Sequence, residues 1–138
     1  MPPDVKTKRT KEWMELAKSD LASGRHQLTA VEPFTRQAGF QAPQSAEKAL
    51  KGFLVWHQLR FFSKQHDLRY LGDLALQKDQ SLKAAVDDAA SLHPYAVTIR
   101  YPGYSDADPS VKEAEEALGI AERLFNEVLA RLPMDAQP

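Results

Sequence analysis

Apolar residues recur at intervals of three and four along most of this chain, which is the spacing that puts side chains on one face of an α-helix. This spacing predicts helices at the following approximate positions: residues 8–28, 35–59, 66–77, 79–94, a short piece at 95–99, and 110–132. No stretch has the alternating pattern typical of a β-strand. The expected fold is therefore all-α, an antiparallel four-helix up-and-down bundle with a short extra helix.

The last predicted helix has the most regular apolar face. Its apolar residues alternate strictly at three and four, as in left-handed helical bundles: Val111, Ala114, Leu118, Ala121, Phe125, Val128 and Leu132. Leu118 and Phe125 are expected to be almost wholly buried. Pro133 ends this helix, and residues 134–138 are predicted to be a frayed tail.

The second predicted helix is the centre of the expected bundle. The apolar residues of the stretch Phe40–Leu54 cover a wider arc than the stripe of a surface helix, which predicts neighbours on two or three sides. A narrower arc carries polar residues: Gln44, Glu47, Lys48, Lys51 and Gln58. This polar arc either faces water or lines a groove.

Pro43 interrupts the helical pattern of this stretch, because it has no backbone N–H to donate and disfavours helix at Ala42. The helix therefore either begins near Ala42, or begins near Thr35 and is kinked at the proline. The apolar residues that precede the proline favour the second alternative.

Asp20 lies on the apolar face of the first predicted helix. An acid in that position is costly unless it is paired or hydrogen-bonded. The first expectation is a structural pair with a base on another helix, with Lys48 as the first candidate. A functional role for this aspartate is the alternative.

The composition limits the classes of protein that need to be considered. The 138 residues are enough for a single domain with one substantial core, and 43% of them are hydrophobic, which argues against disorder. There is no cysteine, so disulfides, thiolate catalysis and cysteine–zinc sites are excluded. This composition fits a reducing cytoplasm, where we expect the protein.

The formal charge of −1 gives no global basic signal, so a contact with nucleic acid would need a local patch. Residues 1–10 begin with two prolines and are rich in basic side chains, and they are predicted to be a flexible arm or, as the alternative, the solvated start of a helix. This end has no apolar segment typical of a signal peptide. No apolar run approaches the roughly 18 residues that span a membrane.

Three short motifs resemble one known family. They are Gln44–Lys51, which reads Gln-Ser-Ala-Glu-Lys-Ala-Leu-Lys, then His66-Asp67-Leu68, and then Arg100-Tyr101-Pro102. In this order and separation they resemble the HEPN (higher eukaryote and prokaryote nucleotide-binding) domain family, from about Trp13 to the last helix. Pro43 departs from the family, which usually continues there with an unbroken helix former. The resemblance implies a homodimer and a small nucleotidyltransferase as partner.

The first functional hypothesis is a non-catalytic module that binds a nucleotide or RNA. The candidate residues for this site, or for the partner, are Gln44, Glu47, Lys48, Lys51, Arg100 and Tyr101. In this hypothesis the lysines supply charge to a phosphate. Structural alternatives stay open, because Glu47 and Lys51 also form a favourable i, i+4 pair and Arg100 is also typical of a helix-end cap.

Arg60 and His66 give the first alternative, a metal-independent, toxin-like endoribonuclease. Many HEPN ribonucleases use an arginine followed by a histidine at similar spacing, with the histidine in proton transfer at the ribose 2′-OH. Here Phe61 follows Arg60 where the family usually has a polar residue, and the pair lies earlier than the family's pair. Arg100, which matches the later position, has no histidine in residues 101–112.

The second alternative is a structural adaptor without a ligand. No cofactor is expected in any of the three hypotheses. His26 and His93 have no histidine or acidic partner at metal-binding spacing, so no metal site is expected. His57 lies on the apolar arc of the second helix and is expected to be packed against the core.

Overall fold

The computed structural model describes residues 1–98 and 108–138, and both ranges are built from helices. The α-helices are α1 (Pro3–Gln27), α2 (Thr35–Trp56), α3 (Leu68–Lys78), α4 (Lys83–Ala90), α5 (His93–Thr98) and α6 (Val111–Leu129), with 3₁₀ turns at Gln80–Leu82 and Met134–Ala136. These ranges contain no strand, so the predicted all-α fold is confirmed. None of these helices is long and apolar enough to cross a membrane.

α2 is the central helix of the bundle. It packs most extensively against α1, next against α6, and also against α3 and α5, while α4 packs against α3 and α6. Leu50, Phe53 and Leu54 have no exposed surface. The neighbours predicted from the wide apolar arc of α2 are therefore confirmed.

α1 and α2 run antiparallel, as the order of their contacts requires. Ser45 donates to the carbonyl of Ala17, and a Cβ on Gly52, further along α2, would lie 2.7 Å from Met14 Sδ, further back along α1. The absent side chain at Gly52 therefore allows the two helices to approach closely. α5 approaches α2 in the same way, because a Cβ on Gly39 would lie 2.7 Å from the Tyr95 ring.

Pro43 lies inside α2 and is buried, so the predicted helix start near Thr35 is confirmed. The predicted kink at this proline stays a prediction. The apolar face of α6 also agrees with the sequence, because Leu118 has no exposed surface and Phe125 is 6% exposed. Ser110 and Glu113 form a capping box at the start of α6, which fixes where this helix begins.

Both terminal segments differ from the prediction. The expected flexible arm is helical from Pro3 onward, since proline suits the first position of a helix and Lys6 packs over the Trp56 ring. The expected frayed tail forms a 3₁₀ turn in which Ala136 has no exposed surface. Gln137 Nε2 fixes this turn by donating to the carbonyls of Leu129 and Leu132, both at 3.1 Å.

Candidate functional site

A cleft of about 460 Å³ opens between α2, the start of α3 and the α4–α5 corner. Its polar lining residues are Gln44, Glu47, His66, Asp67, Arg69 and His93, and its apolar lining residues are Pro43, Leu68, Ala90, Ala96 and Val97. Two of the predicted binding residues, Gln44 and Glu47, line this cleft together with His66 of the ribonuclease alternative.

Glu47 and Lys51 form a buried ion pair behind the wall of the cleft. Their exposed fractions are 5% and 1%, and Lys51 Nζ lies 2.9 Å from Glu47 Oε2. Lys51 Nζ also donates to the carbonyl of Ser63 at 2.8 Å and lies 5.3 Å from the centroid of the Trp13 ring. The lysine therefore has partners on three sides and holds the carboxylate in one position.

His66 covers the other oxygen of this carboxylate from the solvent side. Its Nδ1 lies 2.9 Å from Glu47 Oε1, and its side chain is 62% exposed. A carboxylate only accepts hydrogen bonds, so Nδ1 is the donor and Nε2 is the ring nitrogen left for a ligand. Glu47 thus connects a buried cation to an imidazole that a ligand can reach.

The turn before α3 holds His66 in this position. Gln65 Oε1 accepts from the backbone N–H groups of His66 and Asp67, both at 3.0 Å. The Asp67 carboxylate then caps α3 by accepting from the N–H groups of Arg69 and Tyr70. This capping explains why the His-Asp-Leu sequence orients the imidazole toward α2.

Arg69 lines the cleft but already binds two carboxylates. It donates to Asp73 Oδ1 and to Asp87 Oδ1, each at 3.0 Å, and so ties α3 to α4. Hydrogen bonds from Lys83, which has the larger effect, and from Arg69 lower the pKa of Asp87 below its ordinary value. An anion in the cleft would have to share this guanidinium with both aspartates.

Lys48 faces α1 and takes no part in the lining of the cleft. Its Nζ lies 2.5 Å from Asp20 Oδ2, and the side chains of Lys48 and Asp20 are 22% and 18% exposed. The predicted pair of a partly buried Asp20 with Lys48 is therefore confirmed. The polar arc of α2 divides into a cleft side with Gln44 and Glu47, a buried Lys51, and a Lys48 that holds α1.

Arg60 and His66 line different depressions of the chain. Arg60 belongs to a depression of about 600 Å³ that also includes Phe61, Phe62 and Tyr70 and does not include His66. Arg100 and Tyr101, the remaining predicted binding residues, lie outside the described residues. The structure therefore brings together Gln44, Glu47, Lys51 and His66, and leaves Arg60 apart from them.

His93 and Arg69 were missed as candidate site residues. Each lies at the start of a short helix, where no periodicity in the sequence points toward α2. Their presence in the cleft depends on how α3, α4 and α5 fold back, which the spacing of residues does not reveal. Over residues 1–98 and 108–138 no cluster of metal-binding side chains occurs.

His57 packs against the core, as expected from its place on the apolar arc. Its ring centroid lies 4.4 Å from that of Phe53. Burial is the main cause that lowers the pKa of His57, and the positive charge of Lys78 lowers it further. This histidine ends α2 and lies outside the cleft lining.

Comparisons with known proteins identify the family of this fold. The sequence profile of the HEPN domain matches residues 10–132. The crystal structure of TT1696 from Thermus thermophilus is similar at 28% sequence identity with a TM-score of 0.73, covering 90% of this chain and 98% of that one. The archaeal HEPN homologue ST0689 is similar at 24% identity with a TM-score of 0.69, covering 89% of this chain and 97% of that one.

No curated protein sequence gave a significant match. The match to the HEPN profile extends over most of the chain, and the chain therefore belongs to the HEPN domain family.

Proposed function

We propose that this chain is a non-catalytic HEPN module that binds a nucleotide, free or within RNA, in the cleft between α2, α3 and α5. The main support is the arrangement around Glu47. A buried carboxylate, Glu47, is held by Lys51 on its inner side and hydrogen-bonded to the exposed His66 on its outer side.

The cost of the buried ion pair supports a binding role over a structural one. Removing two charges from water costs several kcal/mol per ion, and apolar residues of similar volume often give equal or greater stability. A fixed carboxylate beside an open cleft is instead useful for orienting a ligand. The adaptor without a ligand does not account for this arrangement.

The lining of the cleft fits the parts of a nucleotide. The cleft volume of about 460 Å³ lies within the range of small-molecule sites. Leu68, Ala96 and Val97 offer an apolar wall to a base, and Glu47 with His66 offers hydrogen bonds to ribose hydroxyls. The imidazole of His93 and the shared guanidinium of Arg69 offer N–H donors to a phosphate.

This proposal gives the two lysines of α2 different roles. Lys51 positions Glu47 because its ammonium is buried and already has two oxygen partners. Lys48 attaches α1 through Asp20. Arg100 and Tyr101 remain sequence-based candidates for phosphate or partner contact.

We also propose a homodimer in the cytoplasm and a small nucleotidyltransferase as partner, as the family resemblance implies, including in a toxin–antitoxin pair. Light scattering on the purified protein tests the dimer. Co-purification with a nucleotidyltransferase expressed from a neighbouring reading frame tests the partner. A monomer that binds no such protein would contradict both.

A ribonuclease is the second candidate function, because the Glu47–His66 hydrogen bond orients an imidazole for proton transfer. Arg60 does not support it, since it lines another depression. We expect no metal-independent cleavage of RNA by the wild type. Cleavage that disappears in His66→Ala would replace the binding proposal with this one.

Calorimetric titration with ATP, GTP, CTP, UTP and AMP tests the binding proposal. Glu47→Gln and His66→Ala should each weaken the bound nucleotide about 10- to 100-fold, since hydrogen bonds to charged groups contribute about 1.5–3 kcal/mol. Lys112→Ala, an exposed cation on α6, is the control and should leave the Kd unchanged. No binding at millimolar nucleotide, or equal affinity in all variants, would contradict the proposal.

A further inference from the structure

The second depression lies at the end of the bundle where α2 ends, away from the cleft. Its volume is about 600 Å³, and Arg60, Phe61, Phe62 and Tyr70 are among its lining residues. Phe62 is 78% exposed and Tyr70 is 41% exposed. This depression therefore presents aromatic rings to the solvent, beside a cation and without an acidic residue in its lining.

The same end of the bundle collects basic side chains. Because α1 and α2 are antiparallel, the first turns of α1 meet the end of α2: Met1 lines the depression, and Lys6 Nζ lies 3.9 Å from the centroid of the Trp56 ring. In residues 1–12 and 57–65 the basic residues are Lys6, Lys8, Arg9, Lys11, Arg60 and Lys64, and the acidic ones are Asp4 and Glu12. These two segments are thus basic in a chain of formal charge −1, and Lys8 pairs with Glu12.

We infer that this aromatic–basic surface, defined by Arg60, Phe61, Phe62 and Tyr70, binds single-stranded nucleic acid. Bases stack on the exposed rings, and the cations of the loop and of α1 attract the phosphates. This combination of stacking rings and positive charge is how proteins hold single strands with little sequence preference. The surface is separate from the nucleotide cleft, so it adds a second site to the proposed function.

Nucleic acid fits this surface better than the other possible occupants. An apolar peptide or a second copy of the chain would need no such excess of cations. A duplex has its base faces stacked on one another and cannot offer them to Phe62 or Tyr70. An anionic membrane matches the charge but gives no reason for a depression of this volume, and it is tested separately below.

Fluorescence anisotropy with a labelled oligouridine of about 12 nucleotides, a length within the usual site sizes, tests the inference. Phe62→Ala should raise the Kd about 5- to 100-fold, because stacking on one aromatic ring contributes that much per base. Arg60→Ala should also weaken binding and reduce the slope of log K against log salt by about 0.7. Both side chains are exposed, and unchanged thermal midpoints would establish that both variants fold.

Phe34→Ala and Lys112→Ala are the matched controls. Phe34 is an exposed ring at the N-cap position of α2, and Lys112 is an exposed cation in the first turn of α6. Both should bind the oligouridine like the wild type.

Three results would overturn the inference. The first is no binding of oligouridine by the wild type at low salt. The second is a loss in His66→Ala but not in Phe62→Ala, which would assign the strand to the cleft. The third is equal affinity for duplex RNA, for phosphatidylserine vesicles and for the single strand, which would leave charge alone as the cause.

Discussion

Two lysines three residues apart on α2 have different surroundings. Lys48 pairs with Asp20 where α1 crosses α2, and both side chains keep about a fifth of their surface in water. Lys51 pairs with Glu47 in the interior, and only this pair continues through His66 to the cleft. We propose that a buried charge with an outlet to solvent belongs to a binding site, whereas the same pairing across a helix contact needs no ligand to explain it.

The largest effect on stability is expected from breaking the Glu47–Lys51 pair. Lys51→Met keeps the volume but leaves the Glu47 carboxylate buried without a cation, which should lower the free energy of unfolding by about 3–5 kcal/mol. Urea unfolding at neutral pH measures the loss. A loss below about 1 kcal/mol would show that water reaches this carboxylate and that the pair is not buried as described.

Breaking the Asp20–Lys48 pair should lower the free energy of unfolding by less. Asp20→Asn removes a carboxylate from a partly exposed pair, so the expected loss is about 1–2 kcal/mol, between the values for surface and buried pairs. Glu15→Gln changes an exposed acid on the same helix and serves as the control. A loss as large as that of Lys51→Met would mean that the two pairs do not differ in the way proposed.

Replacing both residues of the Glu47–Lys51 pair should abolish binding and leave stability nearly unchanged. The double variant Glu47→Leu with Lys51→Met removes both charges together, so its free energy of unfolding should stay within about 1 kcal/mol of the wild type. Nucleotide binding measured by calorimetry should nevertheless be lost. Retained binding in a folded double variant would remove Glu47 from the site.

The smallest effect concerns His57, the packed histidine outside the cleft. Its folded-state pKa lies below the ordinary value of 6.5, because burial disfavours the charged ring and Lys78 adds repulsion. As the pH falls, the unfolded chain therefore binds a proton at His57 before the folded chain does. The contribution of His57 to the free energy of unfolding is fully present above pH 6.5 and is lost as the pH falls from there through the folded pKa. Urea midpoints measured at several pH values should show a smaller decline for His57→Leu. An equal decline in both proteins would contradict this role.

The features predicted from the sequence depend on helical periodicity or on a charged residue that interrupts an apolar helix face. The spacing along α6 placed Leu118 and Phe125 in the core, and Asp20 on an apolar face required a base such as Lys48. Both predictions rest on the geometry of a single helix, in which neighbours three and four residues apart share a face. Such geometry is already present in the order of the residues.

The candidate site depended on contacts that no periodicity contains. Glu47 and Lys51 have the spacing of an ordinary exposed pair, but Trp13 of α1 and the loop at Ser63 cover the lysine. His66 reaches Glu47 because the capped turn before α3 directs it there. The choice between a flexible arm and a helix start at residues 1–10 also depended on a distant contact, since Lys6 packs over Trp56.

The four histidines of the chain allow nucleotide binding in the cleft to be tested in one experiment. His66 and His93 line the cleft, and His26 and His57 do not. In a nuclear magnetic resonance titration with ATP, the imidazole signals of His66 and His93 should shift in a saturable manner, while those of His26 and His57 stay in place. Signals of His66 and His93 that remain unchanged at saturating nucleotide, or a shift confined to His26 or His57, would contradict nucleotide binding in this cleft.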